Sequence, residues 1–187
     1  IENYLSYKNE ATFSMVASQE KQHKERCPFL KDYKLRLLPV AAIYGGNASG
    51  KTNLFKALNF ARRLILQGTQ PDSLIPVEPY KLHSAKNKAP SRFTFELYLN
   101  GKCYEYGFSI GQERVEEEWL IYIMKTREKE LFRRKGDNIQ FEPSLDKDQF
   151  LHFAFQGTRE NQLFLTNSVQ QKVKVFEDIY RWFKGSL

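Results

Sequence analysis

Gly45-Gly46-Asn47-Ala48-Ser49-Gly50-Lys51-Thr52 satisfies the phosphate-binding pattern G-x-x-x-x-G-K-[ST] at every fixed position. Gly45, Gly46 and Gly50 let the backbone turn tightly and approach a polyphosphate, so that successive N–H groups converge on its oxygens. In such a loop Lys51 reaches the β- and γ-phosphates and the Thr52 hydroxyl ligates Mg²⁺. The flanks decide whether the match is more than a glycine-rich turn. Upstream, Val40-Ala41-Ala42-Ile43-Tyr44 is a continuous apolar run of the kind buried on both faces of a parallel sheet, and Pro39 marks its start. Downstream, Leu54, Leu58, Ala61 and Ile65 recur on one helical face, and Gly68 ends the pattern. Strand, glycine loop and helix in that order put phosphates at a helix N-terminus, where unpaired amides and the macrodipole favour anions.

The surrounding composition sets the class. Of 187 residues, 41% are hydrophobic and 14% aromatic, which supports a real core and excludes a disordered tail. Cys27 and Cys103 are far apart, so neither a disulfide framework nor a metal site is expected, and a reducing compartment suits them. No apolar run approaches a membrane span and no signal peptide is visible, so a cytoplasmic protein without a membrane partner is predicted. The chain begins with Ile1 rather than methionine, from which a missing or trimmed N-terminal piece is expected. A net charge of +7 invites a nucleic-acid partner, DNA or RNA, although the excess is spread along the chain.

Ile1 to Val16 reads as two short strands joined near Lys8-Asn9-Glu10, followed by an exposed connection in which His23 has no partner at metal-ligand spacing. Gly68 to Pro90, with Pro71, Pro76, Pro79 and Pro90, reads as loop. Its Asn87-Lys88-Ala89-Pro90 would be the guanine-reading N-K-x-D tetrad if Pro90 were aspartate, so adenine is favoured over guanine. Next, Phe93, Phe95, Leu97 and Leu99 share one face of an extended run, and Asn100-Gly101 supplies a type I′ turn into Cys103 to Ile110. Trp119 to Met124 and a hairpin of Leu131 to Arg134 with Ile139 to Phe141 complete an antiparallel lobe. Lys125, Arg127, Lys129, Arg133, Arg134 and Lys135 make its densest basic patch. That patch reads first as a sheet edge guarded by charge and second as a nucleic-acid-facing hairpin. Glu116-Glu117-Glu118 reads as a solvated turn. Finally, Ser168 and Gln171 form a capping-box pair for one helix with Val169, Val173, Phe176, Tyr180 and Phe183 on its face.

Hydrolysis at a phosphate loop needs an acidic residue at the end of a second buried strand. Downstream of Thr52 no run of four apolar residues leads into Asp or Glu: Leu120 to Met124 runs into Lys125, and Leu163 to Leu165 into Thr166. Two stretches nonetheless carry a family likeness. Glu2-Asn3-Tyr4-Leu5-Ser6-Tyr7-Lys8, followed by Ala42 to Leu54 with Asn47 and the Asn53-Leu54 pair, resembles the N-terminal half of bacterial AAA-family ATPases allied to ABC, SMC, RecF and OLD proteins. The resemblance implies an α/β fold, a P-loop NTPase core of ABC-ATPase type with an inserted antiparallel β lobe. It divides the chain into 1–68 (strands, phosphate loop and first helix), 69–160 (loop and β lobe) and 161–187 (helical segment) of an incomplete head. It also implies ATP and Mg²⁺ as cofactors, bound by Gly45, Gly46, Asn47, Ala48, Ser49, Gly50, Lys51, Thr52 and Asn53, with Lys51 catalytic and Thr52 on the metal. Gln156 or Gln162 is the implied sensor of Mg²⁺ and the γ-phosphate. A homodimer or larger assembly with an effector protein is the implied state, and phage defence or DNA maintenance the implied setting. The alternative is a basic nucleic-acid-binding module with a non-hydrolysing phosphate loop.

Overall fold

The computed structural model describes residues 1–18, 22–47, 49–81 and 89–186. After a small hairpin of β1 (Phe29–Leu30) and β2 (Leu35–Arg36) comes a 17-residue helix, α1 (Lys51–Gln67). Five strands follow: β3 (Ser91–Leu99), β4 (Lys102–Ile110), β5 (Val115–Ile123), β6 (Glu128–Lys135) and β7 (Asn138–Phe141). They form an antiparallel meander in which each strand pairs with the next. Three short helices close the chain, α2 (Gln149–Gln156), α3 (Phe164–Gln170) and α4 (Glu177–Gly185). Among the described residues no helix is long and apolar enough to cross a membrane.

The predicted hairpin turn is present. Asn100 (φ 51°) and Gly101 (φ 80°) both take the left-handed conformation a type I′ turn demands, and they set the pairing of Leu99 with Lys102. Strand period then sorts the side chains. Phe93, Leu97, Tyr106, Phe108, Leu120 and Phe132 are buried on the inner face, where they join Ala57, Ala61, Leu64 and Ile65 of α1 in one core. Aromatic contacts fasten the helices to this face. Phe60 of α1 lies 5.5 Å from Phe93, Phe183 of α4 meets Tyr106 at 5.7 Å, and Phe132 takes Phe164 edge-on at 5.1 Å. Each such ring contributes about 1.5–3 kcal/mol through burial. The inner face of the sheet therefore shares one core with the helices.

On the outer face Trp119 lies across Gly107, its cross-strand partner, with the Arg92 guanidinium 4.1 Å from the ring centroid and its indole N–H donating to Glu105 at 2.6 Å. A Cβ on residue 107 would fall 2.1 Å from the indole ring. Gly107→Ala is expected to displace Trp119 and cost about 1–3 kcal/mol. A thermal melt superimposing on that of the unsubstituted chain would contradict this seating.

Four expectations need correction. Ile1 to Val16 forms no strand pair; its pairings are isolated bridges, because Asn3 and Leu5 take positive φ (49° and 50°) and turn the chain. Val40 to Tyr44 is not a strand, and it is exposed, Val40 to 75% and Tyr44 to 89%. A buried parallel strand needs parallel neighbours, and both sheets among the described residues are antiparallel. The last helix is two helices: Lys172 at φ 68° breaks the run, and the Ser168 hydroxyl donates to the Leu165 carbonyl instead of capping. Glu118 is not solvated at a turn but wholly buried in β5. Gly68 to Pro90 is loop where described; Asn87 and Lys88 of the tetrad lie outside the described residues.

Candidate nucleotide-binding site

Gly50 is the residue before α1, at φ 92°, a conformation in which a side chain would be strained. It offers no side chain to cap the first-turn amides. The Gly50 carbonyl instead collects the N–H of Asn53 (2.9 Å) and of Leu54 (3.3 Å), which winds the first turn. No acidic residue occupies that turn to repel an anion.

The loop ahead of the helix is folded around Lys51. Its ammonium donates to the carbonyls of Gly45 and Gly46, both at 2.6 Å, and to the Ser49 hydroxyl at 3.2 Å. The Ser49 N–H closes on the Gly46 carbonyl at 3.4 Å. Gly45 is packed closely enough that a Cβ there would meet the Ser49 hydroxyl at 2.7 Å. Asn47, Ser49 and Thr52 are exposed, Thr52 on the opening turn of α1. Ala48 lies outside the described residues. Lys51 is thus held at the mouth of a helix start with its charge directed into a ring of main-chain groups.

Residues 40–183, well over half of the chain, match the family described as "AAA domain, putative AbiEii toxin, Type IV TA system". The chain belongs to this family. No curated protein and no solved structure matches it.

Around the loop of this AAA domain stand two side chains that sequence reasoning did not single out. The Ser6 hydroxyl accepts from the Asn53 amide at 2.9 Å, and the Tyr7 hydroxyl donates to the Gly50 carbonyl at 3.4 Å. Both belong to the Glu2 to Lys8 stretch that carried the resemblance drawn from the sequence, and that stretch was the available signal.

The two candidate glutamines are elsewhere. Gln162 is buried, with its amide nitrogen 3.8 Å from where a Cβ of Gly68 would lie. Gly68 follows the end of α1 opposite to Lys51, a helix length of about 25 Å away at about 1.5 Å per residue. Gln156 is exposed at the end of α2. That helix is tied through the Ala154 carbonyl to Asn167 of α3, and the Thr166 hydroxyl of α3 bonds the Ile65 carbonyl in the last turn of α1. Gln162 therefore lies at the far end of α1 from Lys51.

The basic patch is largely neutralised. Lys125 pairs with Asp32 at 2.6 Å, Lys129 with Glu142 at 2.9 Å, and Arg133 with Glu117 and Glu130 at 2.7 and 2.6 Å. Lys135 is 4.0 Å from the same Glu117 carboxylate. Arg127 is exposed. Arg134 is buried and serves the interior of the AAA domain: its guanidinium donates to the carbonyls of Gly136, Gln162 and Arg159. Opposite it across the β5–β6 ladder, Glu118 accepts from the Phe164 and Leu165 amides and from the Tyr106 hydroxyl, which anchors the start of α3. Burial pushes the Glu118 carboxyl upward, against the Arg134 charge and the two amides, which stabilise its ionised form. Burial likewise lowers the Arg134 guanidinium, with Glu118 opposing.

Proposed function

We propose that this AAA domain binds ATP with Mg²⁺ as the nucleotide-holding segment of an ABC/OLD-like ATPase in phage defence or DNA maintenance. The observation that carries it is the Lys51 ammonium clasped by the Gly45 and Gly46 carbonyls at the N-terminus of α1. A side-chain rotation transfers that charge from the carbonyls to a β- or γ-phosphate, while the uncapped first-turn amides supply further donors. Thr52, exposed on the same turn, is the metal ligand this chain offers. Adenine is favoured because Pro90 replaces the aspartate that reads a guanine edge.

Hydrolysis is assigned to an assembly. No run of four apolar residues leads into an acidic residue after Thr52, and Val40 to Tyr44 stands exposed where a parallel sheet would cover it. A dimer of heads, as the family likeness implies, would bring further groups to the triphosphate. The neutralised state of Lys125, Lys129 and Arg133 and the burial of Arg134 favour this function over a nucleic-acid-binding module.

The test is titration with a fluorescent N-methylanthraniloyl ATP in the presence and absence of Mg²⁺. Saturable, Mg²⁺-strengthened binding is expected, and Thr52→Ala is expected to remove most of the Mg²⁺ dependence while leaving metal-free binding unchanged. No binding by the unsubstituted chain would overturn the proposal.

A further inference from the structure

The Tyr4 to Tyr7 segment is a tight turn closed by reciprocal main-chain bonds, Tyr4 N–H to the Tyr7 carbonyl at 2.9 Å and Tyr7 N–H to the Tyr4 carbonyl at 2.8 Å. It is anchored on three sides. Tyr4 is buried, stacked on Phe60 of α1 at 5.3 Å and edge-on to Phe93 of β3 at 5.1 Å. Glu2 and Arg92 exchange N–H···O bonds at 2.9 and 3.0 Å, the Ser91 hydroxyl donates to the Asn3 carbonyl, and the Leu5 N–H reaches the Glu78 carbonyl at 2.9 Å. The tip of this turn, Ser6 and Tyr7, is therefore a fixed point set by both α1 and the sheet.

What the tip touches is the hinge of the phosphate loop. Gly50 sits at φ 92°, where glycine has wide freedom, so nothing in its own chemistry prevents the peptide plane to Lys51 from flipping. A trans peptide is planar, so fixing the direction of its C=O fixes the N–H on the other side. The Tyr7 hydroxyl and the Asn53 and Leu54 amides all hold the Gly50 carbonyl, and this orients the Lys51 N–H away from them. Asn53 is the third residue of α1, where an amide side chain can fold back over the helix start and compete for its donors. Ser6 takes that side chain instead, at 2.9 Å.

We infer that Ser6, Tyr7 and Asn53 are positioning residues for the phosphate loop: the N-terminal turn clamps the Gly50–Lys51 peptide and withdraws the Asn53 amide, presetting the loop for a triphosphate. This rests on the nucleotide-binding function proposed above. Ser6 is exposed and Asn53 half-buried, so their removal leaves the core intact.

The experiment is a double-mutant cycle on N-methylanthraniloyl ATP·Mg²⁺ affinity, with melting followed by circular dichroism. Ser6→Ala and Asn53→Ala are each expected to raise Kd about three- to tenfold, the worth of one hydrogen bond, with an unshifted melting curve. The double variant is expected to bind no more weakly than the weaker single one, because both break the same contact. Ser6→Thr, which keeps the hydroxyl, is expected to restore affinity, and Tyr7→Phe to raise Kd over the same range. Lys51→Ala is run alongside. If it abolishes binding while the Ser6 and Asn53 variants match the unsubstituted chain, or if their effects multiply, the clamp is refuted and nucleotide binding stands. If Lys51→Ala binds normally, nucleotide binding at this loop fails and the clamp fails with it.

Discussion

Lys51→Ala is expected to reduce ATP affinity about a hundredfold or more, since hydrogen bonds to a charged group are worth about 1.5–3 kcal/mol each and the ammonium is placed to make two of them. The reason is geometric. Lys51 is already held by the Gly45 and Gly46 carbonyls at 2.6 Å, so exchanging them for phosphate oxygens needs little reordering of the side chain. The substitution also removes the strut that spans the loop, so a smaller part of the loss comes from a looser Gly45 to Ser49 segment. Lys51→Arg separates the two contributions: it keeps the charge but presents a planar fork in place of a compact ammonium, and is expected to recover only part of the affinity. Isothermal titration calorimetry with ATP·Mg²⁺ reads both. An affinity for Lys51→Ala within twofold of the unsubstituted chain would remove the phosphate loop from consideration.

Glu118→Leu is expected to have the largest effect on stability, about 3–5 kcal/mol, lowering the melting temperature by about 10 °C or more. The carboxylate supplies the acceptors for the Phe164 and Leu165 amides and for the Tyr106 hydroxyl, all buried, and compensates the charge of Arg134. Its loss leaves three buried donors unpaired and removes the charge that compensates the Arg134 guanidinium. Adding Arg134→Met is expected to recover part of the loss, because the uncompensated charge goes with it, even though the carbonyls of Arg159 and Gln162 lose a donor. Losses that simply add in the double variant would show that the two residues act independently.

Most of the sheet was legible because its signals are local. Asn100-Gly101 dictates a turn by its own φ preferences, and the alternation of Phe93, Phe95, Leu97 and Leu99 assigns a face without knowledge of what covers it. The start of α1 was legible for the same reason, since Gly50 and Lys51 are adjacent. What could not be read depends on distant partners. Val40 to Tyr44 has strand composition, but composition does not supply neighbouring strands, and the described residues hold none in parallel. Glu118 and Arg134 looked like surface charges because each is flanked by charged residues that do face solvent, Glu116 and Lys135. Their burial follows from period-two alternation combined with a helix start, at Phe164, that comes 46 residues after Glu118. Ser6 and Tyr7 sit in a stretch whose polar pattern resembles a strand; the positive φ of Asn3 and Leu5 turns it, and the Tyr7 hydroxyl reaches the Gly50 carbonyl.

Because every strand of the meander pairs with its predecessor, the sheet closes through short loops and at small entropic cost. The turn at Tyr4 is the opposite case, for the Asn3 carbonyl meets the Ser91 hydroxyl 88 residues later. On the ribosome, the turn and the glycine loop emerge well before β3 exists to hold them. The capacity to grip a ligand is thus acquired late in synthesis, after the sheet has zipped, so a nascent chain stalled before β3 would carry the whole loop sequence in an unanchored form.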